Sequence, residues 1–141
     1  MTQANYTGFA AAAPYFDLVR ESLGDLVDGE HFFDIVAPDI RYEVRYEFPG
    51  WPRVTSGRAD LMAMFSGYVQ NIALHSTGNL VLTRADNGRI VVLEYEVHGT
   101  ILATGRAYDN RFCSIVTIAD RKIVQWRDYM DSLAAWNALS A

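Results

Sequence analysis

Cysteine is nearly missing: Cys113 stands alone among 141 residues. No internal disulfide framework is possible, so apolar burial must supply the core, and a reducing, cytoplasmic setting is expected. Long apolar runs are missing too. Gly8 to Phe16 is apolar but short, and no Lys or Arg precedes it. It reads neither as a signal peptide nor as a membrane span. Basic charge is scarce, with 12 Lys and Arg against 17 Asp and Glu, and no basic cluster offsets it. That balance argues against nucleic acid as a partner. The three His fall at no spacing that joins them to carboxylates as a metal site. There is no phosphate-binding glycine loop and no G-x-S-x-G, which sets aside serine-type hydrolysis. Neither a metal nor a cofactor is expected.

What is present is an ordinary globular composition, 50% apolar and 21% charged, of a length that suits one domain over 1–141. Residues 1–13 carry no strong pattern and read as a loose arm. From Pro14 to about Val27, Phe16, Val19, Leu23 and Val27 recur at helical spacing, with Pro14 suited to the first turn. Asp28 is placed to cap a short second helix, Gly29 to Val36, that Pro38 stops. A strand follows, with Ile40, Tyr42, Val44, Tyr46 and Phe48 on one side and Arg41, Glu43, Arg45 and Glu47 on the other. The charged side reads as a solvated face. Gly57 opens a third helix to about Leu74, with a stripe of Leu61, Phe65, Tyr68 and Ile72 broadened by Met62 and Met64. Beyond Thr77 the chain reads as β: a strand to Ala85, a turn at Asp86-Asn87-Gly88, and two long strands around Gly99 and Gly105. A last strand runs through Arg121 to Asp131, and a short helix closes the chain at Leu133 to Leu139. Helices first and antiparallel strands after predict an α+β fold. The expected form is a cone-shaped barrel, a strongly bent antiparallel sheet with three N-terminal helices on its concave face.

Within that last strand, period-two alternation puts Val124, Trp126, Asp128 and Met130 on one face. Three are large and apolar, and the fourth is a carboxylate. A buried acid is costly unless partnered, and its pKa tends to rise. Asp128 reads either as chemistry or as a cap or rim residue. The inward sides of the neighbouring strands add Tyr95, Tyr108, Phe112, Tyr42, Tyr46 and Phe48, with Asn110 and Ser114 as polar exceptions, and Phe65 faces them from the third helix. Aromatic walls with few convergent polar groups describe a pocket for a small apolar molecule. In it Asp128 is the candidate acid or base, and Tyr46 and Asn110, with Tyr95 and Tyr108, are candidate oxyanion donors. The outer side carries Ile115, Thr117, Ile123, Gln125 and Tyr129, too apolar for a fully wet face, so a homodimer through the convex sheet is expected. His98 falls on that outer side unless a bulge at Gly99 turns it inward. His31 and His75 lie near helix ends, and Cys113 faces outward without a His in register, which does not suit a nucleophile.

Thr104-Gly-Arg-Ala-Tyr108, Tyr46-Glu-Phe-Pro49, Gly57-Arg58 and Gln125-Trp-Arg-Asp-Tyr-Met-Asp131 carry a resemblance. From about Pro14 to Leu139 the chain resembles the SnoaL-like group of the nuclear transport factor 2 superfamily. The resemblance implies the cone-shaped fold, a dimer through the convex sheet, and chemistry that ranges over isomerases, cyclases, dehydratases, epoxide hydrolases and non-enzymes. Limonene epoxide hydrolase shares the Thr-Gly-Arg and Trp-Arg-Asp-Tyr segments. That likeness puts Trp126 and Asp128 on its pocket Trp and catalytic Asp, and Tyr46 on its water-positioning Tyr. Tyr95 and Val97 stand where it has an Arg and a second Asp, and Phe48 where it has an Asn. Phenazine-biosynthesis A/B proteins and ketosteroid isomerase are similar too, the former with an acid at the position of Asp128. The expectation is a cofactor-free isomerase, cyclase or dehydratase, with a non-catalytic binding or scaffold protein as the alternative and an epoxide hydrolase third.

Overall fold

The computed structural model describes residues 6–140. Among them four α-helices pack around a six-stranded curved sheet. Helix α1, Ala13–Leu23, starts on Pro14, buries Tyr15, Phe16, Val19 and Leu23, and ends at Gly24. Gly24 has φ 50°, a left-handed conformation that costs glycine little. The expected loose arm is ordered where it is described. Thr7–Ala12 form a 3-10 turn that buries Ala12, and Phe9 packs on Phe33 at 4.7 Å between ring centroids. Just before it, Tyr6 stacks on His31 at 4.3 Å and donates to Asp34 at 2.7 Å. Aromatic anchoring without helical period is what the pattern search could not see. The rest of the arm, residues 1–5, lies outside the described residues.

Helix α2, Phe32–Ile35, is shorter than expected, and its cap is His31 rather than Asp28. His31 Nδ1 accepts from the Phe33 amide at 3.1 Å, while Asp34 accepts from the His31 amide at 3.0 Å. This reciprocal arrangement satisfies two otherwise orphaned donors. Strand β1, Val36–Val44, follows without a break. Pro38 sits inside it, between Val36 and Arg41, where the pairing with the neighbouring strand slips. A residue without an N–H belongs at such a gap. The expected strand to Phe48 ends early. The Arg45 amide still reaches the Asp128 carbonyl at 2.8 Å, after which Tyr46 and Phe48 lie in a bent segment turned by Pro49 and Gly50. A short strand, β2 (Val54–Ser56), was not foreseen. Helix α3, Arg58–Asn71, begins after Gly57 as expected, and strand β3, Ile72–Ala85, takes over at once.

Strands β4 (Ile90–Ile101), β5 (Ala107–Ala119) and β6 (Lys122–Met130) complete the sheet, and α4 (Ser132–Leu139) returns across its end. The order is β2-β1-β6-β5-β4-β3. It is not wholly antiparallel: β1 lies parallel to β6, with Tyr42 beside Trp126 and Val44 beside Asp128. The short closing helix expected at Leu133 to Leu139 is present as α4, so the helices on the sheet include one from the other end of the chain.

Two irregularities set which side chains face inward. Leu74 pairs with Gly99 but Ser76 with His98, so the extra residue of the bulge is His75, in the strand opposite Gly99. A Cβ on Gly99 would collide with the Ala73 carbonyl oxygen. His98 stays on the outer face, paired with Asp109 at 2.7 Å. A second bulge lies at Val124, because Thr117 pairs with Gln125 and Ile118 with Ile123. That slip turns Ile123 into the core at 0% exposure and leaves Val124 half-buried. Ile123 is therefore not part of an outer apolar patch, and strict alternation failed there because a bulge reverses parity.

Candidate functional site

The inward side of β4, β5 and β6 is apolar except at Asn110, Ser114 and Asp128, which are 3%, 0% and 3% exposed. Register brings two of them together, since Ser114 and Asp128 are direct partners across β5 and β6. Ser114 Oγ donates to Asp128 Oδ1 at 2.7 Å, and Trp126 Nε1, two residues along the same strand face, donates to the same oxygen at 3.0 Å. Tyr95, two residues along β4 from Ser114's partner Leu93, meets Ser114 Oγ at 2.9 Å. Burial pushes the Asp128 carboxyl up to about 6, against the pull of Trp126, Ser114 and, least, Tyr42. Loss of hydration outweighs three donors.

Asp128 opens onto a cavity of about 210 Å³ between the sheet, α1, α3 and α4. It is the one ionisable acid on the wall, and no Lys, Arg or His lines it. Tyr15, Tyr42, Tyr46, Tyr68 and Tyr108 contribute hydroxyls, while Phe48, Trp51, Phe65, Phe112, Met64 and Met130 are among its apolar lining. Burial raises the tyrosine pKa values, Tyr108 to about 12 and Tyr46 higher, so all stay protonated and act as donors. Tyr108 is the best prepared of them. Asn110 Nδ2 donates to its oxygen at 2.8 Å, which leaves the Tyr108 proton for another acceptor.

Seven residues singled out from the sequence line this cavity: Asp128, Tyr46, Tyr108, Phe112, Phe48, Met130 and Phe65. Three others do not. Trp126, Tyr95 and Asn110 sit one layer behind the wall. Trp126 is stacked on Tyr42 at 5.9 Å and tied to Asp128, and Tyr95 is stacked on Phe112 at 5.5 Å. Asn110 spends its amide on Tyr108 and Met130 Sδ, and its carbonyl on the Arg111 amide at 2.8 Å. Asn110 therefore does not present its amide to the cavity but supports Tyr108, which does line it. Tyr42, placed inward by strand alternation, also lines the cavity, whereas sequence reasoning missed Tyr15, Tyr68 and Trp51 as wall residues, along with Ala135 and Leu139 of α4. Tyr68 was in a recognised helical stripe, and its hydroxyl was the signal. Among the described residues, no group of His, Cys, Asp and Glu is placed to hold a metal ion.

The model of the SnoaL-like domain family matches residues 6–126. This chain belongs to that family. The matched span stops two residues short of Asp128, so the family match does not itself reach the acid. The SnoaL-like chain is 28% identical over 97 residues to the uncharacterized protein YesE of Bacillus subtilis (strain 168), a stretch that covers 66% of each. That is just under two thirds of the relative's own length. A crystal structure from Bacillus subtilis, of a protein suggested to be an isomerase, is similar with a TM-score of 0.73 at 22% identity, covering 96% of this chain and 95% of that one. A phenazine biosynthesis-related protein from Pseudomonas aeruginosa gives 0.68 at 21% identity, with 86% and 84% covered. At such identities the likeness establishes the fold, a SnoaL-like cone of the nuclear transport factor 2 type.

Proposed function

We propose that this SnoaL-like protein is a cofactor-independent acid–base enzyme that works on a small, uncharged, largely apolar molecule. The observation that carries the reading is one buried carboxylate on the wall of an otherwise aromatic cavity, with a pKa lifted to about 6. Near neutral pH such a group exchanges protons in both directions, which suits isomerase, cyclase or dehydratase chemistry. The Ser114 and Trp126 hydrogen bonds both end on Oδ1, with Tyr42 the weakest of the three donors. Oδ2, which neither Ser114 nor Trp126 engages, is therefore the oxygen assigned to take and return the proton. Tyr108 and Tyr46 then donate to the oxygen on which negative charge develops. A ligand bearing a carboxylate or phosphate would meet Asp128 in a desolvated space with no cation on the wall. The isomerase suggestion attached to the Bacillus subtilis structure agrees with this chemistry. The reading also takes the protein to act in the cytoplasm as a two-fold dimer, through Ile115, Thr117, Gln125 and Tyr129 on the outer face.

The alternative is a binding or scaffold protein, and one observation favours it: the partners of Oδ1 are themselves buried and would hold Asp128 for structural reasons alone. Incubation in heavy water with a panel of mono- and bicyclic ketones separates the two. An acid–base enzyme exchanges hydrogen beside the carbonyl, with a rate that rises through about pH 6 and vanishes in Asp128→Asn. Ketones that bind the cavity without any Asp128-dependent exchange would refute the catalytic reading and leave the binding one.

A further inference from the structure

Four elements in neighbour order, β6, β5, β4 and α1, place Asp128, Ser114, Tyr95 and Tyr15 in a row, and the first three are joined by hydrogen bonds of 2.7 and 2.9 Å. The direction of the bonds follows from proton counting. A serine hydroxyl owns one hydrogen, and Ser114 gives it to Asp128 Oδ1. Its lone pair must then receive the hydrogen of Tyr95. Two hydroxyls thus point in series at one carboxylate oxygen.

Such a row can conduct a proton or hold a group still. Conduction toward Asp128 moves each hydrogen one bond along and leaves a tyrosinate behind. Tyr95 is buried, with a pKa well above the ordinary value for that reason first and for the Asp128 charge second. Its own oxygen has no cation among the causes that act on it. The row therefore holds. We propose that Ser114 and Tyr95 are positioning residues, a two-hydroxyl clamp that fixes Asp128 Oδ1 and confines proton exchange with a bound ligand to Oδ2. This rests on the acid–base role assigned to Asp128 above, although the clamp itself can be tested without any substrate. Trp126 supplies the other bond to Oδ1, but its indole is also core. Ser114 is the half that can be removed with one oxygen atom.

The test is the titration of the Asp128 carboxyl carbon, followed by ¹³C NMR from about pH 4 to about pH 8, in the parent and three variants. Ser114→Ala should raise the midpoint by about one to two units, as expected for loss of a hydrogen bond to a charged group. Ser114→Thr keeps the hydroxyl and should return the midpoint to the parent value. Tyr95→Phe should raise it by less, because Ser114 loses only the polarisation its donor supplies. A Ser114→Ala midpoint equal to the parent's would overturn the clamp, whatever happens to the melting temperature. If Ser114→Ala does not fold, an unchanged midpoint in Tyr95→Phe overturns it instead. A parent midpoint near the ordinary aspartate value would count against Asp128 as the acid or base, while the shift between parent and Ser114→Ala would still decide the clamp.

Discussion

Asp128 and Asp131 are three residues apart and could hardly be treated more differently. Asp128 faces inward two residues before the end of its strand, 3% exposed, and burial lifts its pKa to about 6. Asp131 is the N-cap of α4. It accepts from the Ala134 amide at 3.0 Å and pairs with Arg111 at 3.2 Å, and these contacts, the amide first, pull its pKa below the usual range. The bland role open to Asp128 from the sequence, a cap at the next turn, belongs to its neighbour. Side-chain chemistry is identical, so position in the strand period and distance from water decide which acid caps a helix and which is buried beside the cavity.

The two acids must also act on stability with opposite signs. Asp128 binds its proton more tightly folded than unfolded. Its contribution is fully present below about pH 4 and is lost as pH rises through about 6. Asp131 holds its proton more weakly when folded. Its contribution is present above the ordinary aspartate pKa and is lost as pH falls through the lowered folded value.

The largest expected break comes from the support of Asp128. Trp126→Ala should cost about 3–5 kcal/mol, as for other buried aromatics cut to alanine, because the indole is 0% exposed and packs on Tyr42, Tyr15 and Phe32. Denaturant unfolding at neutral pH reads this directly. Next, Asp128→Asn should stabilise the fold at pH 7. Two pKa units or slightly more correspond to at most about 3 kcal/mol, and the gain should disappear as the pH approaches 4. The amide can keep its Oδ1 on Ser114 and Trp126 and turn Nδ2 to the cavity, so those two buried donors are not orphaned, and only the Tyr42 contact, the weakest of the three, is given up. A loss of stability at pH 7 would mark Asp128 as structural. Smallest is Asp131→Ala, which should lower the melting temperature slightly, most at neutral pH and less in acid. By loosening α4 it should also make Trp136 fluorescence easier to quench, since Trp136 packs on Phe48 at the cavity rim.

Much of this was legible in advance, and the misses share a cause. Alternation alone placed Tyr95, Tyr108 and Asp128 inside, and all three are buried. It could not report the bulge at Val124 that turned Ile123 inward, since a bulge depends on pairing and not on local pattern. Nor could it report the parallel pairing of β1 with β6, a contact between strands far apart in sequence. Depth was equally silent. Trp126, Tyr95 and Asn110 are inward-facing as expected, yet they form the layer behind the cavity, while the wall takes Tyr15, Trp51 and Leu139 from elements whose position only the whole fold determines. The motif resemblance reached the fold because Trp-Arg-Asp-Tyr and Gly57-Arg58 mark its register. It does not name a substrate, because one fold hosts many activities.

The most direct measurement observes both acids at once. In protein labelled with ¹³C at the aspartate carboxyl, Asp128 should titrate with a midpoint near 6, and Asp131 should titrate below the ordinary aspartate value of about 3.9. Two signals that turn together near that ordinary value would contradict the account, because Asp128 would then be one more solvated carboxylate rather than an acid held ready in an aromatic cavity.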